Sequence, residues 1–168
     1  MSRLPPRSLA LLLVTGLAAA APEAPPAAKT IVIVRHAETE AEAPGSDPPL
    51  SAAGRARAVA LARMLGDTPL HSVYVTPFRR NRQTAESLGQ KPIVIDDVRA
   101  TLSALAAEPW GTTVVVVGHS NTVPAIVSSL TGHPTPENEK IGFDGMWVVT
   151  VTRDGVASLL HLHYGPPP

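Results

Sequence analysis

Thr30-Ile31-Val32-Ile33-Val34-Arg35-His36-Ala37-Glu38-Thr39 begins as an unbroken apolar run and ends in a cluster of chemically capable side chains. A continuous apolar stretch such as Ile31 to Val34 is the pattern of a strand buried on both faces, at the centre of a parallel sheet. Outward from it, short apolar strands alternate with amphipathic helices. Ser51 is placed to cap a helix whose apolar positions Ala58, Leu61, Ala62 and Leu65 recur at helical spacing, with Gly66 ending it. Val73 to Val75 reads as a strand, Phe78 to Leu88 as a helix, Ile93 to Ile95 as a third strand and Thr101 to Ala107 as part of another helix. Thr113 to Val117 is the most strand-like run in the chain, and Val123 to Leu130 reads as helical. His133 to Asp144 is a loop rich in Pro and charge, and Trp147 to Thr152, a turn at Asp154-Gly155 and Ala157 to His163 form a hairpin. The alternation predicts a three-layer α/β/α sandwich with a mostly parallel central sheet and a C-terminal antiparallel hairpin.

The chain has 168 residues, 44% hydrophobic and 17% charged, enough for one domain with a buried core. Cysteine is absent, so disulfides, thiolate metal sites and thiol nucleophiles are excluded together. Residues 1–20 combine Arg3 and Arg7 with the apolar run Ser8 to Leu17 and a string of alanines, the three regions of an export signal, with cleavage expected after Ala20. The apolar run is shorter than the roughly 20 residues a spanning helix needs, so no stable membrane anchor is expected after processing. Residues 21–28, rich in Pro and Ala, read as a spacer, and 29–165 as the domain. Removing Arg3 and Arg7 leaves twelve basic residues against fourteen acidic ones, a balance that offers nucleic acid no general attraction. The expected location is periplasmic or secreted.

Three strands end in polar residues. Val34 runs into Arg35-His36, Val75 into Thr76 with Arg79, Arg80 and Arg82 following, and Val117 into Gly118-His119-Ser120-Asn121. In an open α/β sheet the carboxyl ends of strands are where sites assemble, so these segments are expected to converge. Guanidinium groups match phosphoryl oxygens bidentately and stay charged at any physiological pH, and an imidazole can attack phosphorus. The set therefore suits a phosphate ester.

The same residues carry a family resemblance. Arg35-His36-Ala37-Glu38 resembles the Arg-His-Gly/Ala-Glu signature of the histidine phosphatase, or phosphoglycerate mutase-like, superfamily. Leu50-Ser51-Ala52-Ala53-Gly54-Arg55-Ala56-Arg57-Ala58 resembles its Leu-Ser/Thr-x-x-Gly-x-x-Gln-Ala helix start, with Arg57 in place of the usual Gln. Thr76-Pro77-Phe78-Arg79-Arg80-Asn81-Arg82-Gln83-Thr84-Ala85 is similar to its Ser-Pro-x-x-Arg-x-x-Gln-Thr-Ala segment, and Gly118-His119-Ser120 to its second-histidine motif. The layout is that of a small, bacterial, exported member, similar to the phosphohistidine phosphatases and lacking the inserted acid-bearing segment of phosphoglycerate mutases.

The resemblance implies that His36 attacks the phosphoryl group and forms a phosphohistidine that water hydrolyses. It also implies that Arg35, Arg80 and His119 bind the phosphoryl oxygens, without metal or cofactor. His36 is then expected to be neutral and His119 usefully cationic, so that the two titrate differently. The substrate would be a small-molecule phosphate ester or a phosphohistidine. Many members carry a proton donor between the second arginine and the second histidine; here that interval holds Glu86, Asp96, Asp97 and Glu108 in no recognisable acid motif. Asp96 and Asp97 follow a strand and Glu38 lies beside His36, so these three are the candidate general acids, with a helix cap or a loop salt bridge as their alternative uses. A rival expectation is a phosphate-ligand binding or regulatory protein without an efficient proton donor. His161 and His163 alternate on one strand face at a spacing that could bind metal, but with no third ligand evident an exposed edge is the favoured reading. His71 and His133 read as loop residues. Trp110 and Trp147 read as packing residues, and Trp147 could border a substrate.

Overall fold

The strand that opens the reading becomes β1 (Ala28–Arg35), followed by α1 (Ala52–Leu65), β2 (Leu70–Val75), α2 (Arg79–Glu86), β3 (Ile93–Val94), α3 (Val98–Ala107), β4 (Thr113–Gly118), α4 (Thr122–Thr131), β5 (Gly145–Thr152) and β6 (Ala157–His163). The computed structural model describes residues 28–41, 47–134 and 141–167. The expected export signal at 1–20 and the spacer as far as residue 27 lie outside these, as does part of the expected His133–Asp144 loop. Ala28, assigned from sequence to the spacer, is instead the first residue of β1, paired with Thr152, and its carbonyl accepts a hydrogen bond from Gly111 N at 2.9 Å. Among the described residues no helix is long and apolar enough to cross a membrane.

The six strands form one sheet in the order β3-β2-β4-β1-β5-β6. β1, β2, β3 and β4 run parallel, and β5 and β6 form the antiparallel end. From β1 the chain passes over β4 to reach β2, and from β4 it passes over β1 to reach β5. The connections therefore leave the central pair in opposite directions, and a crevice opens at the carboxyl ends of β1 and β4.

Alternation along the strands divides the core into two. Ile31 and Ile33 of β1, with Val114 and Val116 of β4, pack under Leu105 of α3 and Val123, Ile126 and Val127 of α4. Val32 and Val34, with Val115 and Val117, pack on the opposite face with Leu61 of α1 and Ala85 of α2. Because side chains alternate across a strand, a central strand apolar at every position must be covered on both sides, which is the three-layer sandwich.

The helices start where local chemistry directs. Ser51 Oγ accepts from Gly54 N at 3.1 Å, and Gly66, at φ 47°, ends α1 with its N–H on Ala62 O. Gly54 also permits a close approach, because a Cβ there would lie 2.0 Å from Glu38 O. That contact seats α1 directly on the loop carrying His36. Helix α2 is unusual. Its sequence, Arg-Arg-Asn-Arg-Gln-Thr-Ala-Glu, contains no large apolar residue, and so short a helix has little stability of its own. Asp47, from a distant loop, receives the Arg79 N–H at 3.0 and 2.8 Å on its two oxygens, which caps the helix in place of a local side chain. The sequence reading had this helix running from Phe78 to Leu88; Phe78 is instead the residue before the first turn, and the helix ends at Glu86.

Candidate active site

The carboxyl edge of the sheet brings five segments, Asp96 after β3 among them, to one open cleft of about 540 Å³. Arg35, His36 and Thr39 enter it after β1, Thr76, Phe78 and Arg80 after β2, His119 to Thr122 after β4, and Phe143 just before β5. All four residues expected to handle the phosphoryl group, His36, Arg35, Arg80 and His119, line this one space.

His36 is buried, with 7% of its surface exposed, and its Nδ1 lies 2.8 Å from Ala37 O. A carbonyl only accepts, so Nδ1 carries the proton and Nε2 keeps its lone pair. Burial pulls the His36 pKa down to about 4; the Ala37 hydrogen bond opposes this, and His119, Arg35 and Arg80 add to it. The His119 pKa also falls to about 4, first through burial and then through Arg80 and Arg35. The expectation of one neutral and one cationic histidine is thus corrected for the free site. Both rings are neutral at pH 7, because desolvation and the same two guanidinium neighbours act on each, although His36 is buried and His119 only partly so. His119 Nε2 is 2.8 Å from Thr76 Oγ1, and the two imidazole rings stand edge to face at 5.3 Å.

The arginines are held on aromatic faces. Arg35 Nη1 donates to Ile141 O at 2.7 Å, and its guanidinium lies 4.0 Å from the centre of the Phe143 ring. The Arg80 guanidinium lies 4.3 Å from the centre of Phe78, and Asp47 stands 3.6 Å from its Nη1. Arg80 Nε is buried without a hydrogen-bond partner among the described residues, a donor left over for an anion.

Polar side chains of α2 tie these segments together. Asn81, fully buried, donates from Nδ2 to Val117 O at 2.9 Å and Gly118 O at 3.2 Å. Thr84 Oγ1 accepts from Ala37 N at 3.0 Å and donates to Arg80 O at 2.8 Å, and Gln83 Oε1 accepts from Leu50 N at 2.8 Å. Asn81 was missed from sequence because a polar residue within a polar helix gives no sign of burial. Thr76 was legible only as the end of a strand, and Phe143 lay in a loop with no pattern.

Of the candidate general acids, only Asp96 reaches the cleft. It follows Ile95, whose N–H continues the β3 pairing onto Val75 O at 2.9 Å. Asp97 is corrected to the N-cap of α3, accepting from Ala100 N at 2.8 Å. Glu38 is corrected to an ion-pair partner. Arg57 Nε lies 3.0 Å from both its oxygens and Nη2 2.7 Å from Oε1, while Arg57 Nη1 donates to Tyr164 O at 3.0 Å. Burial alone would raise the Glu38 pKa, but the Arg57 hydrogen bonds and charge outweigh it and hold the carboxyl below its ordinary value. A carboxylate so held is a poor proton donor. Arg57, which stands where the family's usual Gln is absent, thereby joins the His36 loop to the C-terminal segment.

The remaining histidines have other contacts. His161 stacks flat on Trp147 at 4.5 Å, and His163 Nδ1 is 2.8 Å from Asp144 Oδ2. Trp147 is buried and does not line the cleft, and among the described residues no group of three His, Asp or Glu side chains could hold a metal. His71 approaches the buried Glu108 at 3.4 Å, and Tyr74 donates to the same carboxylate, which accounts for Glu108 away from the cleft.

Residues 31–98 match the family model of the histidine phosphatase superfamily (branch 1), a span that holds the first histidine, both arginines and the helix between them. Over that span the chain is similar to the histidine phosphatase superfamily. Solved structures extend the likeness over the whole domain. A protein histidine phosphatase SixA complexed with tungstate superposes with a TM-score of 0.68 at 23% identity, covering 80% of this chain and 96% of that one. The protein from Nakamurella multipartitia assigned as a phosphohistidine phosphatase SixA gives 0.65 at 27% identity, over 84% and 99%. The mycobacterial glucosyl-3-phosphoglycerate phosphatase gives 0.63 at 19% identity, over 82% and 100%. Among curated proteins, none matches the chain in sequence. Within the superfamily's fold, the second-histidine motif of this chain lies beyond the matched span, and the geometry alone brings His119 beside His36.

Both pKa values are depressed from the ordinary 6.5, so neither ring takes up a proton until the solution is well below that pH. In an NMR titration of the ligand-free protein, the Cε1–H signals of His36 and His119 are expected to move with midpoints near pH 4. Midpoints at or above 6.5 would contradict the buried, arginine-flanked geometry.

Proposed function

We propose that this chain is a phosphomonoester hydrolase that works through a phosphohistidine on His36, using arginine rather than metal charge. The observation that carries the proposal is a buried, neutral His36 whose Nδ1 is committed to Ala37 O, in a cleft shared with two arginines and a second imidazole. The match of residues 31–98 to the superfamily's model and the likeness to SixA and other phosphatases support the same reading.

In this mechanism a phosphoryl group enters between Arg35 and Arg80, whose guanidinium hydrogens bind its oxygens and offset the charge that repels a nucleophile. His36 Nε2 attacks phosphorus in line, forming the P–N bond as the bond to the leaving oxygen breaks. The substrate's negative charge offsets the two guanidinium charges that help keep His119 neutral, so a cationic His119 becomes accessible in the complex and stabilises the phosphoryl oxygens. Asp96 is the carboxyl group placed to protonate the leaving oxygen. Water then attacks phosphorus, the P–N bond breaks, and phosphate and neutral His36 are regenerated. A phosphohistidine substrate follows the same course with an imidazole as leaving group. Because positioning and electrostatics do most of the work, catalysis depends on the preorganisation supplied by α2.

The export signal read at residues 1–20 adds a location to the proposal, periplasmic or secreted, and with it extracytoplasmic esters as substrates.

Acid-quenching the protein with a labelled aryl phosphate is expected to trap an acid-labile adduct on His36 that turns over. His36→Ala should lower kcat by at least about 10³-fold, the order expected for removing a nucleophile. Phosphate-ester binding with no adduct identifies the non-hydrolytic phosphate-binding alternative instead. Asp96→Asn is expected to lower kcat by about 10²-fold for an alkyl phosphate and by far less for 4-nitrophenyl phosphate, whose leaving group needs no proton. Equal losses on both substrates would remove Asp96 from the role of acid. Protein recovered from producing cells is expected to begin at Ala21, and an intact Met1 terminus would count against export.

A further inference from the structure

Four rings stand in a row across the carboxyl edge of the sheet. Phe78 meets His119 edge to face at 5.3 Å, His119 meets His36 at 5.3 Å, and His36 meets Phe143 at 5.9 Å. The order follows from the topology: Phe78 comes after β2, His119 after β4, His36 after β1, and Phe143 just before antiparallel β5, and β2-β4-β1-β5 are neighbours in the sheet. The two phenyl rings are therefore the ends of the row, with the imidazole pair between them, and all four line the same cleft. Each phenyl ring also carries one pocket arginine on its face, Arg80 on Phe78 and Arg35 on Phe143.

Resting on the phosphatase reading of the same cleft, we propose that Phe78 and Phe143 select the leaving group, favouring phosphate carried on a planar, unsaturated ring over phosphate carried on a saturated one. The phosphoryl group is anchored by the arginines and attacked from the His36 side, so the rest of the substrate must leave through the open mouth of the cleft. Beyond the phosphate-handling residues the lining consists of Thr39, Thr76, Asp96, the Ser120-Asn121-Thr122 turn and the two phenyl rings, which are its apolar walls. Phe78 is 40% exposed, a large apolar surface held at the mouth and not absorbed by the core. A planar ring emerging there meets phenyl faces or edges on either side, at the geometry aromatic pairs prefer. Phe78 and Phe143 act on the bound ring and on the guanidinium planes; they take no part in the bond changes.

The test compares phenyl phosphate with cyclohexyl phosphate, equal in size but saturated, so that the intrinsic difference in reactivity cancels when each variant is referred to wild type. Phe78→Leu and Phe143→Leu keep apolar volume and remove the ring. Each is expected to lower kcat/KM for phenyl phosphate by about three- to tenfold more than it lowers that for cyclohexyl phosphate, the range of an aromatic pair. Calorimetric binding of tungstate, which needs the arginines but no leaving group, should change less than twofold, and wild type should bind phenylphosphonate several-fold more tightly than cyclohexylphosphonate. Equal losses on both phosphate esters, or equal binding of both phosphonates, overturns the proposal. If wild type binds phenylphosphonate preferentially yet hydrolyses neither ester, the phosphatase reading fails while ring selection stands. A loss of tungstate binding in both variants reduces the rings to supports for the arginines and also overturns it.

Discussion

The parallel pairing of β1 with β4 is the constraint on which the site depends. With Val34 opposite Val117 and Arg35 opposite Gly118, the two strands end level, and His36 N donates to Gly118 O at 2.9 Å just beyond the last pair. That bond joins the two histidine-bearing loops at their roots. Gly118 is needed there because a Cβ would lie 2.8 Å from Thr122 Oγ1, the atom that accepts from His119 N and turns the chain into α4. A slip of one residue would move Val34 and Val117 to the wrong face and separate the imidazoles, since side chains alternate along each strand. The two apolar clusters above and below the sheet enforce the register, and the chemistry inherits it.

Around that pair the structure spends polar side chains as fasteners. Asn81 and Thr84 project from a helix with almost no apolar content and hold the ends of both central strands as well as the carbonyl of Arg80. Their bonds are buried, where leaving a donor or acceptor unmet costs about 1–3 kcal/mol, so each bond fixes a geometry more firmly than its net stabilisation suggests. The Arg57–Glu38 pair does the same on the other side, joining the first turn after β1 to the last described segment through Tyr164 O. The outcome is a pocket whose phosphate-handling groups come from distant parts of the chain yet rest on one rigid edge.

The electrostatics of the pocket follow from its crowding. Two guanidinium groups and two imidazoles share a partly dehydrated space, and burial first, with the charged arginines adding to it, holds both imidazoles neutral. His36 is thereby kept in the neutral form that the proposed attack requires, without an adjacent base. The same crowding explains why the phenyl rings matter: each covers one guanidinium face, leaving its hydrogen-bearing edge for phosphate.

Much of this was written in the chain itself. The apolar run Ile31 to Val34, the second run Thr113 to Val117 and the helix signals around Ser51 and Gly66 determined a layered α/β domain, because two-sided burial and helix capping are local rules that a sequence can obey visibly. The same local reading found His36, Arg35 and His119 and a group of three arginines after β2, since strand ends in such a sheet face one edge, and the family resemblance singled out Arg80 among the three. What tertiary structure alone decided was which of several equivalent groups does what. Glu38, Asp96 and Asp97 are indistinguishable carboxylates in sequence; one is taken by Arg57, one by the start of α3, and only Asp96 is left at the cleft. Phe143 and Asn81 gain their roles from partners more than thirty residues away, and the shared charge state of the two histidines arises from a burial and a set of neighbours that no stretch of sequence contains. Long-range contact sets desolvation and pairing, and these decide the function of a side chain once its position is given.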